Sequence, residues 1–156
     1  MAAKPIPDGY HTLTPYVIVK NASTAMAFYT KAFGAKETLK LTMPDGSVAH
    51  AEMKIGDSHF MLGEENEQWG TKGPKTLGGT PMGLAIYVEN CDEVFERAIA
   101  AGATVEKPVM DQFYGDRSGS LFDPDGHKWT IGTHKIDMTP AEMQKAMEEW
   151  IKSMGM

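Results

Sequence analysis

The sequence predicts an α+β fold of two tandem βαβββ modules followed by a C-terminal amphipathic helix. Three observations carry this. Short segments recur in order at spacings of 68 or 69 residues. Each half has one stretch of helical apolar periodicity set among short strand-like runs. The last residues form a single apolar stripe behind a capping signal.

The repeat comes first, because self-similarity at a fixed period decides the architecture. Val19-Lys20-Asn21-Ala22 matches Val88-Glu89-Asn90-Cys91. Ala32-Phe33-Gly34-Ala35 matches Ala100-Ala101-Gly102-Ala103. Ile55-Gly56-Asp57-Ser58-His59-Phe60-Met61-Leu62 matches Pro124-Asp125-Gly126-His127-Lys128-Trp129-Thr130-Ile131. Three matches in register point to a duplication.

Each copy opens on a strand, Thr14 to Val19 and Leu84 to Val88, rich in Val, Ile and Tyr. A helix follows. Ala25, Phe28, Tyr29, Ala32 and Phe33 fall at helical spacing, and Gly34 stands where a left-handed C-cap is wanted. In the second copy Val94, Phe95, Ala98 and Ala101 repeat the pattern, with Asp92 as the expected N-cap and Gly102 as the stop. Three strands complete each unit. Pro44-Asp45-Gly46, Gly56-Asp57 and Asp123-Pro124-Asp125-Gly126 supply the turns. Module one then covers 12–64 and module two 83–134. Residues 65–82, rich in Gly and Pro and without periodicity, read as a connector that could flap over a site. In the tail, Thr139-Pro140-Ala141-Glu142 is a capping box with Pro at the first helical position. Met143, Met147, Trp150, Ile151 and Met154 make the stripe of a helix over 139–154. The stripe suits packing on its own domain and packing across a dimer equally.

A chain of 156 residues is one domain, large enough for a core without staples. No apolar run approaches the roughly 18 residues a membrane span needs. Cys91 is the only cysteine, so an internal disulfide is excluded and a reducing, cytoplasmic setting is expected. Net charge is −6 and the basic residues are scattered, which argues against nucleic acid as a partner. The twelve methionines suit irregular cores and adaptable pockets.

The paired βαβββ pattern resembles the vicinal oxygen chelate superfamily, which includes glyoxalase I, bleomycin-resistance proteins and extradiol dioxygenases. The resemblance runs from about Thr12 to His134 and includes the helix end Phe28-Tyr29-Thr30-Lys31-Ala32-Phe33-Gly34. Ala49-His50-Ala51-Glu52, Tyr114-Gly115-Asp116-Arg117 and Asp123-Pro124-Asp125-Gly126-His127 are similar to the PhnB-like, glyoxalase-like branch. The resemblance implies that the modules form a curved mixed sheet around a cleft, with helices outside. It also implies a homodimer.

Strand alternation sorts the side chains between cleft and core. Tyr16, His50, Glu52, His59, Met61, Tyr87, Ser118, Ser120, Phe122, Lys128 and Thr130 fall on the cleft faces. The metalloenzymes of the superfamily carry their ligands at positions that correspond here to Thr14, Met61, Gly83 and Thr130. Met is soft, Gly has no side chain and Thr hydroxyls are weak, so the inherited divalent-metal site is dismantled. No cofactor is expected there. His50, Glu52 and His59 have the chemistry to hold a relocated divalent metal, or His50 and Glu52 bond each other and a ligand.

Arg117 offers a fork to a carboxylate or phosphate, or else serves a structural ion pair with Asp116 or Glu52. Tyr16, Tyr87, Phe113, Tyr114 and Phe122 could line an aromatic pocket or belong to the core. Trp69 could close over a ligand from the connector or sit in an interface. Trp129 should be core, His127 a turn or interface residue, and Cys91 a small packed residue.

The leading expectation is a metal-free protein that binds a small, partly aromatic molecule at Tyr16, His50, Glu52, His59, Met61, Trp69, Tyr87, Phe113, Tyr114, Arg117 and Phe122. The competing expectation is a lyase, isomerase or dioxygenase that uses His50 and Glu52 for catalysis. A third is a regulatory partner that recognises through its terminal helix.

Overall fold

A computed structural model describes residues 2–156. Its element order is β1 (Tyr16–Val19), α1 (Ala22–Phe33), β2 (Lys36–Thr42), β3 (Val48–Ile55), β4 (Ser58–Glu64), α2 (Pro74–Leu77), β5 (Gly83–Tyr87), α3 (Cys91–Ala100), β6 (Thr104–Asp111), β7 (Asp116–Phe122), β8 (Lys128–His134) and α4 (Pro140–Ser153). The tandem βαβββ modules and the C-terminal helix are both present. The eight strands divide into two four-stranded sheets, β1-β4-β3-β2 and β5-β8-β7-β6. Each opening strand pairs in parallel with the last strand of its own module, and the remaining pairs are antiparallel.

The repeat has a physical content that its residues reveal. Asn21 and Asn90 are the two helix N-caps, and their side chains accept from Thr24 N and Glu93 N. Asn90, and not the expected Asp92, therefore caps α3, two residues earlier. Asp92 lies in the first turn, where its carboxylate also suits the helix dipole. Gly34 closes α1 in the left-handed conformation, as its position predicts. The connector is not wholly irregular. Pro74 at the first helical position and Gly78 at the end frame the short α2, and Asn66 bridges Thr71.

One hydrophobic cluster holds the modules together. Val17, Val19, Ala51, Met53, Phe60 and Leu62 from the first sheet join Leu121, Trp129 and Ile131 from the second, with the buried faces of α1 and α3. Tyr29 and Phe33 of α1 lie 5.5 and 4.8 Å from the Trp129 ring, and Phe60 lies 5.3 Å from Tyr29. Burying so much aromatic surface is the main force joining the two halves. Polar links add register. Lys20 N donates to Asp125, His127 Nε2 lies 2.8 Å from the Ile18 carbonyl, and Arg97 Nε donates to the Ala32 carbonyl. His127 is thus a joint between modules. Trp129 and Cys91 are both 1% exposed and packed.

Because the inward faces share this core, the opposite faces of both sheets are turned away from it. The tail behaves differently from the modules. No residue of α4 is buried, and Trp150 is anchored through Phe113, whose ring lies 5.3 Å away. Among the described residues, no helix is long and apolar enough to cross a membrane.

Candidate functional site

The outward face of the first sheet carries a row that crosses all four strands. Register places Leu39 beside Glu52, Glu52 beside Met61, and Met61 beside Tyr16. Leu41 lies beside His50 in the next row. Partners directly across a sheet point to the same side, so these residues form one surface. Gly63 shapes it. A Cβ at Gly63 would stand 2.8 Å from the Tyr16 hydroxyl, so the glycine lets the tyrosine lie flat over the strand.

That placement builds a hydrogen-bond chain. The Tyr16 hydroxyl is 3.2 Å from His50 Nδ1, and His50 Nε2 is 3.1 Å from Glu52 Oε1. One tautomer satisfies both contacts: with the proton on Nε2, Nε2–H donates to Glu52 and Nδ1 accepts from the Tyr16 hydroxyl. Tyr10 then donates its hydroxyl to Glu52 Oε2, and its ring stacks on His59 at 4.2 Å. His59 is tied by Nδ1 to the Gly9 carbonyl. Tyr10 lies outside the repeat in a segment without periodicity, so strand alternation could not find it.

His50, Glu52 and His59 do not converge. No group of three or more His, Cys, Asp or Glu among the described residues is placed to hold a metal ion. Met61 sits on the first sheet and Thr130 on the second, paired with Ala85. Neither position offers a hard donor set for a divalent ion.

The second sheet carries a separate polar set. Ser118 lies beside Met110, and Ser120 beside Thr130. Ser120 donates to Glu106, which also pairs with Lys128 Nζ at 2.9 Å. These donors hold the Glu106 carboxyl below its ordinary range. Tyr114 reaches Ser118 Oγ at 3.3 Å. Tyr87, 71% exposed, donates to Asp116 at 2.7 Å. Phe122 is half-buried and faces a shallow hollow with Pro74, Lys75, Gly78, Gly79 and Gly126.

The expected site residues therefore fall into groups. Tyr16, His50, Glu52, His59 and Met61 come together on the first sheet. Tyr87, Tyr114 and Phe122 belong to the second, and Phe113 packs on Tyr114 and Trp150. Trp69 is 56% exposed in the loop between Asn66 and Thr71. Arg117 does not pair with Asp116 or Glu52. Its fork grips both oxygens of Asp92 at 2.7 and 2.8 Å and reaches Asp111 at 3.2 Å. Alternation explains this, since Arg117 lies on the side of β7 opposite Ser118.

A second unanticipated cluster lies at the end of the second sheet. His134 Nδ1 is 2.7 Å from Asp116 and Nε2 is 2.8 Å from Asp137. His134 also lines an open groove with Tyr87, Val88, Glu89 and Thr133. The hydrogen bonds to Asp116 and then Asp137 raise its pKa above the ordinary imidazole value. A raised folded-state pKa gives stability that is complete below about pH 6.5 and fades as pH climbs through the folded value. Melting temperature followed from pH 6 to 9 should therefore show a downward component in the wild type that His134→Gln lacks. Parallel curves for the two proteins would contradict this.

Comparison with known proteins agrees with this architecture. Residues 10–131 match the family model of the Glyoxalase/Bleomycin resistance protein/Dioxygenase superfamily. An uncharacterized protein of Mycobacterium bovis is 40% identical over 138 residues, which cover 86% of this chain and 91% of that one. The crystal structure of TioX from Micromonospora sp. ML1 superposes with a TM-score of 0.62 at 25% identity, over 83% of this chain and all 100% of that one. A PhnB protein from Bacillus cereus has the same fold, with a TM-score of 0.62 at 22% identity over 79% of this chain and 99% of that one. The chain belongs to the glyoxalase/bleomycin resistance protein/dioxygenase superfamily.

Proposed function

We propose that this protein is a metal-free, small-molecule-binding member of its superfamily that sequesters a drug or metabolite in the reducing cytoplasm. The observation that carries this reading is the outward face of the first sheet. There Glu52 and His50 form a polar centre flanked by Leu39, Leu41, Met61 and Tyr16. Apolar walls around a few fixed polar groups are how proteins hold small organic ligands. Tyr16 is 50% exposed and Leu41 51%, so the face is open to a guest. Thr14, Met61, Gly83 and Thr130 supply no set of hard ligands, which supports binding over metal chemistry. We propose also that the chain pairs as a homodimer, with a second copy covering exposed Tyr87, Met82 and the apolar stripe of α4.

One observation favours a second reading. The His50–Glu52 contact at 3.1 Å is the geometry of a general base and its orienting carboxylate. In that case a lyase, isomerase or dioxygenase step would depend on His50 and Glu52, either as this acid–base pair or, rearranged, as ligands of a divalent metal. Turnover abolished in His50→Ala would identify it.

Thermal-shift screening of the full chain against aromatic antibiotics and metabolites tests the leading reading. A ligand at 100 times its Kd adds about 2.7 kcal/mol, or about 5–10 °C for a domain of this size. A panel with no stabilising member, alongside stoichiometric metal in untagged protein, would favour the second reading.

A further inference from the structure

Tyr10 is the most informative residue of the first sheet's outward face, because it comes from outside the sheet. Residues 2–9 and 11–13 are exposed, whereas Tyr10 is half-buried. The segment is fixed to the face by few contacts. The His59 ring receives the Tyr10 ring, His59 Nδ1 meets the Gly9 carbonyl, and the Tyr10 hydroxyl donates to Glu52. The Tyr10 amide bonds only to Pro7 in its own segment. No regular element continues the strap, so its ordering depends on those contacts.

The strap also satisfies chemistry that would otherwise stand open. Glu52 has two carboxylate oxygens. His50 occupies one and Tyr10 the other. Remove Tyr10, and the face presents a carboxylate acceptor, a flat imidazole and the apolar side chains of Leu39 and Met61 around one vacancy. That combination selects a flat ring carrying one acidic hydroxyl. An oxygen–hydrogen donor to a carboxylate is a charge-assisted bond, and a ring on an imidazole gains stacking energy.

We propose that this face recognises a phenolic ring, with the ligand hydroxyl donating to Glu52 and the ring stacking on His59, and that Tyr10 holds that place in the free protein. The inference rests on the small-molecule-binding reading and names its ligand class. The N-terminal strap is then a competitor in cis. An incoming phenol must displace Tyr10, so the intrinsic affinity of the face is masked by the fraction of chains with the strap seated. A ligand larger than one ring can offset this by also contacting Leu41 and Tyr16.

The test uses p-cresol, which reproduces the tyrosine ring and hydroxyl, and toluene, which lacks only the hydroxyl. Titrations are run on the full chain as wild type, Tyr10→Ala, Tyr10→Phe and Tyr10→Ala combined with Glu52→Leu. Tyr10→Ala should bind p-cresol at least tenfold more tightly than the wild type and prefer it to toluene by tenfold or more. Glu52→Leu in that background should abolish the preference. Tyr10→Phe keeps the stacked ring and should fold as the wild type does, with an intermediate p-cresol affinity. In the wild type, saturating p-cresol should speed amide exchange over residues 8–13. Equal affinity for toluene and p-cresol, no gain on Tyr10→Ala, or unchanged exchange in the liganded wild type would each overturn the proposal. If aromatic compounds stabilise the wild type while p-cresol and toluene remain indistinguishable, the ligand class is wrong and the binding reading stands. If nothing binds even to Tyr10→Ala, both fall.

Discussion

Asp123→Ala is expected to destabilise the protein by about 3–5 kcal/mol, the largest effect of any single polar substitution in the chain. Asp123 is 4% exposed and sits between the modules. Its Oδ2 accepts from the Tyr29 hydroxyl at 2.6 Å and from Trp129 Nε1 at 2.9 Å. Its Oδ1 accepts from the backbone amides of Asp125 and His127, both at 3.0 Å. One carboxylate thus serves a helix of module one, a strand of module two and the turn between β7 and β8.

Tyr29 and Trp129 are each 1% exposed, so water cannot replace the lost acceptor. Burial and then the Asp123 charge push the Tyr29 phenol well above its ordinary pKa, which keeps it a donor at any physiological pH. Removing the acceptor leaves four donors unpaired. Asp123→Asn preserves one carbonyl but aims an NH2 group at donors, so it should cost nearly as much. Tyr29→Phe deletes only one donor and should cost about 1 kcal/mol. Urea denaturation of the three variants should rank them in that order, and the alanine variant should melt about 6–20 °C lower. An alanine variant within 1 kcal/mol of the wild type would show that the clasp does not join the modules.

The same residues show what could be read in advance. Asp123-Pro124-Asp125-Gly126-His127 is visible in the sequence as a turn, and it is one. Its second role needs Tyr29, 94 positions away, to be brought against it, and no local pattern carries that information. Duplication and alternation were legible because each repeats at a fixed period along the chain. They placed Trp129 inward, and Tyr16, His50, Glu52 and Met61 on the opposite faces. Arg117 was ambiguous because charge complementarity names no partner. Asp92 and Asp111 became its partners only once α3 and β6 lay beside β7. Tyr10 and Asp137, the partner of His134, escaped because both lie in segments without period.

Gly115→Ala is expected to cost about 2–4 kcal/mol and to weaken the pH dependence assigned to His134. The sequence suggests a flexible glycine beside Asp116 and Arg117, yet the structure holds this residue rigidly. Gly115 adopts φ +94°, a region that an L side chain resists. Its carbonyl accepts from Lys135 N and Ile136 N, both at 3.0 Å, and its amide donates to Gln112 at 3.3 Å. A Cβ there would collide with the Ile136 carbonyl oxygen and stand 3.4 Å from Met138 Sδ. The colliding atom is backbone, so no rotamer change relieves it.

The segment leaving β8 must then move away, and Asp137 moves with it. His134 would keep Asp116 and lose Asp137, so its pKa would fall back toward the ordinary value. The same displacement shifts the start of α4, whose N-cap Thr139 follows within two residues of Asp137. Calorimetry across pH 6–9 separates the two consequences. A uniform drop in melting temperature reports the backbone collision alone, while a drop with a flattened pH profile shows that Gly115 also sets the His134 clasp. If α4 closes a dimer, the variant should dissociate at a higher protein concentration than the wild type, because its helix would leave the strand at the wrong angle.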